Sequence, residues 1–312
     1  MNSSSSEETK DVFDNILYYF NSFIGIIGIL SNVTIVIVLS NTPSLKSNHY
    51  IFLKNLAISD FLASVILVLT TMIAPMNSST GPVPDNYIIA RLLCSMKALN
   101  QLYAVFTNSA TIISVISVER LIAVKFPIFY KDTFGKKTSY AFVAFPWIYS
   151  LSILQIKDQF FLIIKDNFCY QDYTNNFIAL LNSFNYMVMQ LMVPVFCYTI
   201  IAIHISRRIS ENSSGKKNAD KIMSRAQTKI TKMLFIVSFI FIVTTFPDNL
   251  HFNFFVPVLD LQLWSYGSTT DKVLVVITMI NVLINIFIYP LIDSDFKSAI
   301  AKTFPFSIFK GK

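Results

Sequence analysis

The chain has 312 residues, of which 54% are hydrophobic and 14% are charged. Its mean hydropathy of +0.56 lies outside the range of ordinary soluble globular domains. This composition indicates a membrane protein. The formal net charge of +7 then reflects topology and attraction to anionic lipid, and it gives no reason to expect nucleic acid as a partner.

Seven long apolar runs follow one another along the chain. They lie near residues 16–40, 50–76, 92–118, 138–156, 178–205, 233–256 and 273–292. Each run can cross about 30 Å of hydrocarbon as a helix, because an α-helix rises about 1.5 Å per residue. The runs are continuous and do not alternate as the strands of a membrane β-barrel do. The sequence therefore predicts an all-α membrane protein with a bundle of seven transmembrane helices.

The segments between these runs differ in charge. Most Lys and Arg residues follow the first, third and fifth runs or lie in the C-terminal tail, whereas the opposite side carries mostly Asp and Glu. Because basic loops stay in the cytoplasm, we expect the N-terminus outside the cell and the C-terminus inside.

Two cysteines and two glycosylation sequons fall on the side predicted to be outside. Cys94 begins the third run and Cys169 precedes the fifth, and an oxidising lumen permits a disulfide bond between them. Cys197 lies within the fifth run and is predicted to be a buried thiol. Asn2 and Asn77 begin Asn-X-Ser sequons and are the predicted glycosylation sites.

Polar and kink-forming residues inside the runs follow a characteristic order. In chain order they are Asn32, Asn55, Asp60, Glu119, Arg120, Trp147, Pro194, Phe241, Pro247, Asn285 and Tyr289. This order resembles that of the rhodopsin-like (class A) G-protein-coupled receptors, from Asn32 to the stretch 295–297. The resemblance implies an extracellular tail over residues 1–14, a seven-helix receptor domain over 15–293, and a short cytoplasmic amphipathic helix and tail over 294–312.

The resemblance also implies two sets of functional residues. The G-protein coupling and switch set is Glu119, Arg120, Phe241, Pro247, Asn285 and Tyr289. In the family, the acid holds the arginine at rest, and on activation the sixth span swings outward and frees the arginine to support a G-protein α-subunit. The sodium-site set is Asp60, Ser109, Asn281, Asn285 and Asn32, and its alternative is a hydrogen-bonded polar core without an ion.

Four positions depart from the family pattern. Thr245 stands where the sixth span usually has Trp, and Ile286 stands where the seventh span usually has Pro. Ala202 and Leu121 each replace a Tyr, in the fifth span and at the end of the third. These departures leave the predicted fold in place but bear on the efficiency of switching.

The predicted ligand pocket lies between helices toward the outer side of the bundle. Its candidate lining is Leu102, Tyr103, Phe106, Tyr186, Gln190, Asp248, Asn249, Phe252 and Met279. Leu102 takes the place of the aspartate of amine receptors, and Met279 takes the place of the retinal-bearing lysine, so neither a monoamine nor retinal is expected. Asp248 can be interpreted as a contact to a cationic ligand or as half of an internal pair. Peptides, lipids and other small molecules stay open.

The sequence thus predicts a plasma-membrane receptor that turns ligand binding into G-protein activation. No nucleotide loop, catalytic triad or metal-ligand spacing indicates an enzyme, and beyond the sodium ion no cofactor is expected. One alternative is a receptor-like protein that binds ligand or pairs with another receptor without signalling, motivated by the lost Trp, Pro and Tyr. A second is a transporter or channel, which would predict inverted repeats and paired discontinuous spans that the sequence does not show.

Overall fold

The computed structural model describes residues 2–76, 86–97, 100–165, 168–171, 180, 184–185, 187–211, 218–259, 261–263 and 268–304. The first half of the chain contains α1 (Asn2–Asn41), α2 (Asn48–Met76), α3 (Tyr87–Lys97), α4 (Asn100–Lys125), α5 (Pro127–Thr133) and α6 (Lys136–Phe161). The second half contains α7 (Val193–Glu211), α8 (Asn218–Leu250), α9 (Val256–Leu259), α10 (Thr269–Met279), α11 (Asn281–Ile292) and α12 (Ser294–Thr303). A six-residue π-helical turn, Met187–Met192, leads into α7, and a five-residue one, His251–Phe255, follows α8.

Helices occupy all seven positions at which the sequence predicts a span. Among the described residues, six segments are long and apolar enough to cross a membrane. They are Asn15–Asn41, Asn48–Thr71, Val105–Lys125, Met187–Arg207, Thr228–Pro247 and Lys272–Ile292. At the fourth position lies α6, which is 26 residues long. The prediction of a helical bundle is therefore confirmed. Its first helix begins earlier than predicted, because α1 starts at Asn2, within the segment predicted to be a tail.

A short antiparallel hairpin lies outside the helical pattern. Strand β1 (Leu162–Lys165) follows α6 directly and pairs with β2 (Phe168–Gln171), which places Ile163 opposite Tyr170. Branched and aromatic side chains favour such pairing. The all-α prediction missed this hairpin because a four-residue apolar run does not distinguish a strand from a helix.

The first two spans approach each other closely at two glycines of α1. A Cβ atom on Gly25 would lie 2.7 Å from Val68 Cγ2, and a Cβ atom on Gly28 would contact Ser64 Oγ. Small residues let the backbones of membrane helices come together in this way. The contact fixes the face of α1 that carries Asn32, one turn beyond Gly28.

The seventh span is interrupted at Ile280, between α10 and α11. The side chain of Asn281 donates from Nδ2 to the carbonyl oxygen of Thr278 at 3.1 Å, and such a bond competes with the regular helical pattern. The following helix α11 runs through Ile286 without a break, as expected for a position that has lost its proline. The irregularity therefore lies nearer the outer end than the lost proline.

The short helix α12 begins directly after the seventh span. Its N-cap is Asp293, whose side chain accepts a hydrogen bond from the backbone N–H of Asp295 at 3.0 Å. Phe296, Ala299 and Ile300 are buried on one side of this helix, while Lys297 is exposed on the other. This pattern matches the amphipathic helix predicted after the seventh span.

Candidate functional site

A buried carboxylate joins three spans in the middle of the bundle. Asp60 is only 5% exposed; its Oδ1 accepts from Ser109 Oγ at 3.0 Å and its Oδ2 accepts from Asn285 Nδ2 at 2.7 Å. The Ser109 hydroxyl lies 2.9 Å from that of Ser59, which also accepts from Asn108 Nδ2 at 2.9 Å. Both ion pairs found among the described residues lie elsewhere. The carboxylate thus has neutral hydrogen-bond donors around it, contributed by α4 and α11.

Asn32 joins the first span to the seventh beside this cluster. Its Nδ2 donates to the carbonyl oxygens of Gly28 at 2.9 Å and of Val282 at 2.7 Å. Within the described part of the chain, three buried oxygens here have no hydrogen-bond partner: Oδ1 of Asn32, Oδ1 of Asn285 and the hydroxyl of Tyr289. Buried polar atoms without a partner are costly, and they are commonly satisfied by water or an ion.

A small cavity adjoins the carboxylate. It is lined by Leu56, Asp60, Ile113, Val237, Phe241, Asn281, Ile284 and Asn285. Of the predicted sodium-site residues, the structure joins Asp60, Ser109 and Asn285 by hydrogen bonds and places Asn281 on the wall of the same cavity. The amide of Asn32 instead bonds to backbone carbonyls.

A second buried cluster ends the third span. Arg120 binds Glu119 through two hydrogen bonds, from Nε to Oε2 at 2.5 Å and from Nη2 to Oε1, and both side chains are buried. Tyr130 of α5 completes the group, because its hydroxyl donates to Glu119 Oε1 and accepts from Arg120 Nη2 at 3.3 Å. Burial, together with the carboxylate of Glu119, raises the pKa of Tyr130, so the phenol remains a donor.

An exposed apolar surface adjoins this second cluster. Phe126, Ile128 and Phe129 are 52%, 79% and 55% exposed, at the start of α5. The helix is anchored beneath them, since Asn48 Nδ2 donates to the carbonyl oxygen of Phe134. Exposed apolar surfaces mark sites that contact another protein or the membrane. Sequence reasoning missed both this surface and Tyr130, although the run 126–130 shows four apolar or aromatic residues around a helix-starting proline.

In the outer half of the bundle, hydrogen bonds connect the fifth and sixth spans. Gln190 Nε2 donates to Thr245 Oγ1, and Asn249 Nδ2 donates to Gln190 Oε1 at 3.4 Å and to the carbonyl oxygen of Thr245 at 3.0 Å. All three side chains are buried. The threonine at the usual place of the tryptophan therefore supports a polar bridge between two spans. We refer to these three residues as the outer bridge.

Other switch residues lie near both clusters. Phe241 lines the cavity beside the carboxylate, and Pro247 lies in α8 shortly before the π-helical turn. Tyr289 packs edge-on against Phe296 of α12, with ring centroids 5.5 Å apart. Phe241 thus lies beside the carboxylate, and Tyr289 contacts the short helix.

The predicted ligand pocket is described only in part. Phe106 and Met279 are buried in one apolar cluster with Ile24 and Val276. Five further candidates lie outside the residues, or outside the side chains, that the structure describes: Leu102, Tyr103, Tyr186, Asp248 and Phe252. The pocket as a whole stays a prediction.

The side chains of two of the three cysteines are described. Cys94 is disulfide-bonded and Cys197 is a buried free thiol. Cys169 is the remaining cysteine of the chain, and its side chain lies outside the described part, as do the side chain of Asn2 and all of Asn77.

Comparison with known families gives one match that covers most of the chain. The family model described as "7 transmembrane receptor (rhodopsin family)" matches residues 31–289. The matched region includes the Asp60 cluster, the Glu119–Arg120 pair and the outer bridge.

Individual relatives are distant. The chain is 25% identical over 252 residues to "Rhodopsin, GQ-coupled" of Mizuhopecten yessoensis, a match that covers 74% of this chain and 48% of that protein. It is 20% identical over 308 residues to "Allatostatin-A receptor" of Bombyx mori, covering 96% of this chain and 82% of the relative. It is 24% identical over 258 residues to "Adenosine receptor A3" of Bos taurus, covering 77% of each. The chain thus spans about half the length of the first relative and most of the other two.

Proposed function

This chain belongs to the rhodopsin family of seven-transmembrane receptors, and from that premise we propose that it binds an extracellular ligand and activates a heterotrimeric G protein. The match confirms the family predicted from the order of polar residues. It is a multi-pass membrane protein with a receptor's architecture. We propose the plasma membrane as its location, with the N-terminus outside, from the distribution of basic residues between its loops.

The main observation behind this proposal is the arrangement of charged and apolar residues at the end of the third span. Glu119 and Arg120 compensate each other's charge while buried, and the apolar start of α5 lies exposed beside them. Buried charges are tolerated when they are paired and hydrogen-bonded. If the sixth span moves away, the guanidinium gains access to a binding partner, and Phe126 and Ile128 add apolar contact area. A cation with adjacent apolar groups suits a helix from a G-protein α-subunit.

We propose that ligand binding and the exposure of Arg120 to a partner are two ends of one equilibrium. A ligand shifts such an equilibrium only if it binds one state more tightly than the other. The outer bridge lies where a bound molecule would change the contacts between the fifth and sixth spans. Asn281 Nδ2 donates to Thr244 Oγ1, and Thr278 Oγ1 donates to the carbonyl oxygen of Thr244 at 3.0 Å. These bonds join the sixth span to the seventh just above the Asp60 cavity.

We propose a sodium ion as a regulator of this equilibrium. Asp60 supplies a negative charge, Ser109 a hydroxyl oxygen and Asn285 an amide oxygen that has no partner among the described residues. Oxygen atoms are suitable ligands for a hard cation, and Asn281 lies on the wall of the adjoining cavity. Bound there, sodium would balance the buried charge and favour the resting arrangement of the spans.

The similar proteins do not indicate which class of ligand this receptor binds. The relatives' names are those of a rhodopsin, an allatostatin-A receptor and an adenosine receptor, so they share no ligand. Met279 is buried at the place of the retinal-bearing lysine, which argues against a photopigment. The amides of Gln190 and Asn249 favour a ligand with hydrogen-bonding groups, since an amide both donates and accepts. We propose such a ligand, bound between the fifth and sixth spans.

The test is G-protein activation in cells that express the chain, measured for several α-subunit classes with and without a broad ligand library. Arg120→Ala should abolish the signal at equal surface expression, because it removes the cation that the partner helix would meet. Arg91→Ala provides a control at the opposite end of the bundle, where the guanidinium packs on Tyr87, and should keep the signal.

The alternative is a receptor-like protein that does not signal, and Thr245, Ile286 and Ala202 are the observations that favour it. No activation of any α-subunit class by the wild-type chain, despite confirmed surface expression and the full library, would favour this alternative. A signal that survives in Arg120→Ala would contradict the role proposed for the arginine.

A further inference from the structure

The junction between the seventh span and α12 holds a third acidic side chain with several partners. Asp293 is buried; its Oδ2 accepts from the hydroxyl of Tyr50 at 2.6 Å, and its Oδ1 accepts from the backbone N–H of Asp295 at 3.0 Å. Bonds from α2 and from the start of α12 thus hold this carboxylate in place. It is a fixed acceptor with a negative charge.

One lysine of the sixth span reaches this acceptor. Lys229 lies near the start of the membrane-spanning part of α8, and its Nζ lies 3.4 Å from Asp293 Oδ1 and donates to Ser294 Oγ at 3.0 Å. The side chain of Lys229 is 37% exposed, whereas that of Asp293 is 8% exposed. The pair thus joins a partly exposed side chain on one span to a buried one at the end of another.

The other charged pair makes no such connection. The described partners of Arg120 are Glu119 on its own helix and Tyr130 on α5. Among the residues that the structure describes, the ion pair that connects the sixth span to another part of the bundle is the one between Lys229 and Asp293. Outward movement of the sixth span would leave the Glu119–Arg120 bonds intact but would break this one.

We infer that Lys229 is a positioning residue that holds the sixth span closed against the junction of the seventh span and α12, through Asp293 and Ser294. This inference rests on the proposed function, because it assigns the ion pair to the resting state of a signalling receptor. Partly exposed ion pairs are weak, since water and salt compete with them. A weak bond between spans suits a contact that ligand binding must break.

The test measures the position of the sixth span directly, without a G protein. Spin labels on Thr228→Cys at the start of the sixth span and on Lys137→Cys at the start of α6 report their separation by double electron–electron resonance, in purified full-length receptor in lipid nanodiscs. Cys197 is buried and remains in place. Lys229→Gln removes the charge and Lys229→Glu repels Asp293, whereas Lys229→Arg keeps a cation within reach.

We expect Lys229→Gln to raise the ratio of open to closed receptors by about two- to five-fold, the range that an exposed ion pair supports. Lys229→Glu should raise the ratio further, and Lys229→Arg should stay near the wild type. Lys232→Gln is the matched control, an exposed lysine three positions along the same helix, and should leave the distance distribution unchanged.

A double-mutant cycle separates the ion pair from a general loss of structure. Asp293→Asn keeps an oxygen that accepts from Asp295 N–H but removes the charge, so Lys229→Gln should have a smaller effect in this background than in the wild type. Ser294→Ala should give a smaller opening than Lys229→Gln, because the ion pair remains. The inference is wrong if Lys229→Gln and Lys232→Gln give the same ratio of open to closed receptors. It is also wrong if Lys229→Gln raises this ratio as much in the Asp293→Asn background as in the wild type.

The same variants distinguish this inference from the proposed function. Opening of the sixth span in Lys229→Gln without any G-protein activation would support the positioning role and count against signalling. Ligand-dependent activation with an unchanged distance distribution in Lys229→Gln would support signalling and overturn the positioning role.

Discussion

Two of the buried acids of the bundle, Glu119 and Asp60, satisfy their charge in opposite ways. Glu119 has a cation as its neighbour in the sequence and binds it through two hydrogen bonds. Asp60 has hydroxyl and amide donors from two other spans, Ser109 and Asn285. One charge is balanced within a single turn of helix. The balance of the other depends on how three spans are arranged.

This difference determines which structural changes each site responds to. A pair made by adjacent residues keeps its partner wherever the spans move, so it responds mainly to the arrival of a new partner or to the loss of Tyr130. A carboxylate held by Ser109 and Asn285 changes its surroundings whenever the second, third or seventh span shifts. Burying a charge without an opposite charge is costly, so the Asp60 carboxylate depends on the neutral donors that the neighbouring spans bring to it.

The largest expected effect comes from removing one member of the charged pair. Arg120→Ala leaves Glu119 buried without its cation, and breaking a buried pair in this way typically costs about 3–5 kcal/mol of stability. We expect a marked fall in melting temperature in detergent. The reaction of Cys197 with a maleimide dye measures it, because this thiol is buried in the folded chain.

A variant that neutralises both members provides the control. Glu119→Gln combined with Arg120→Gln leaves no charge unpaired, so it should lose less stability than Arg120→Ala, although it is changed at two positions. Equal melting temperatures for the two variants would show that charge balance is not what stabilises this end of the third span.

The contrast between the two acids also shows what could be predicted from the sequence. Asp60 and Arg120 were found because each is a charged residue inside or at the end of an apolar run, a pattern that indicates function in a membrane protein. Because their family places them in order along the chain, Ser109 and Asn285 could also be assigned to the Asp60 site. The helical bundle followed from the length and hydropathy of the runs alone.

What the sequence could not show are contacts between distant segments in which each residue looks ordinary. Tyr130 is one aromatic residue in a short helix, and its bond to Glu119 depends on how α5 turns back on the third span. Lys229 and Asp293 are 64 residues apart, and each lies among other residues of like charge, so neither stands out in the sequence. Thr245 was identified as a missing tryptophan, whereas its bond to Gln190 could be seen only in the structure.

A smaller effect is expected from neutralising the other acid. Asp60→Asn keeps the size and the acceptor oxygen of the side chain but removes a buried charge without a cationic partner among the described residues. In sodium-free buffer we expect the variant to be at least as stable as the wild type, by up to about 2 kcal/mol, because a neutral group is less costly to bury.

Melting temperatures measured with and without sodium extend the comparison between the wild type and Asp60→Asn. The melting temperature of the wild type should rise with sodium chloride relative to N-methylglucamine chloride at equal ionic strength, since a ligand that binds the folded state stabilises it. Asp60→Asn should show no such rise. Ser64→Ala removes a hydroxyl that, among the described residues, donates to the backbone carbonyl of the same helix, and it should respond like the wild type. A wild-type chain indifferent to sodium would favour the polar core without an ion.

The smallest expected effect concerns the hydroxyl that completes the charged pair. Tyr130→Phe removes the donor to Glu119 and the acceptor for Arg120, while the ring can still stack on Phe134, whose centroid lies 4.9 Å away. Hydrogen bonds to charged groups contribute about 1.5–3 kcal/mol, but the two partners remain bonded to each other, so we expect a loss of about 1 kcal/mol. Tyr140→Phe, at an exposed tyrosine on α6, should leave the melting temperature unchanged. If Tyr130→Phe and Tyr140→Phe have the same melting temperature, the charged pair is complete within the third span, and α5 contributes nothing to its stability.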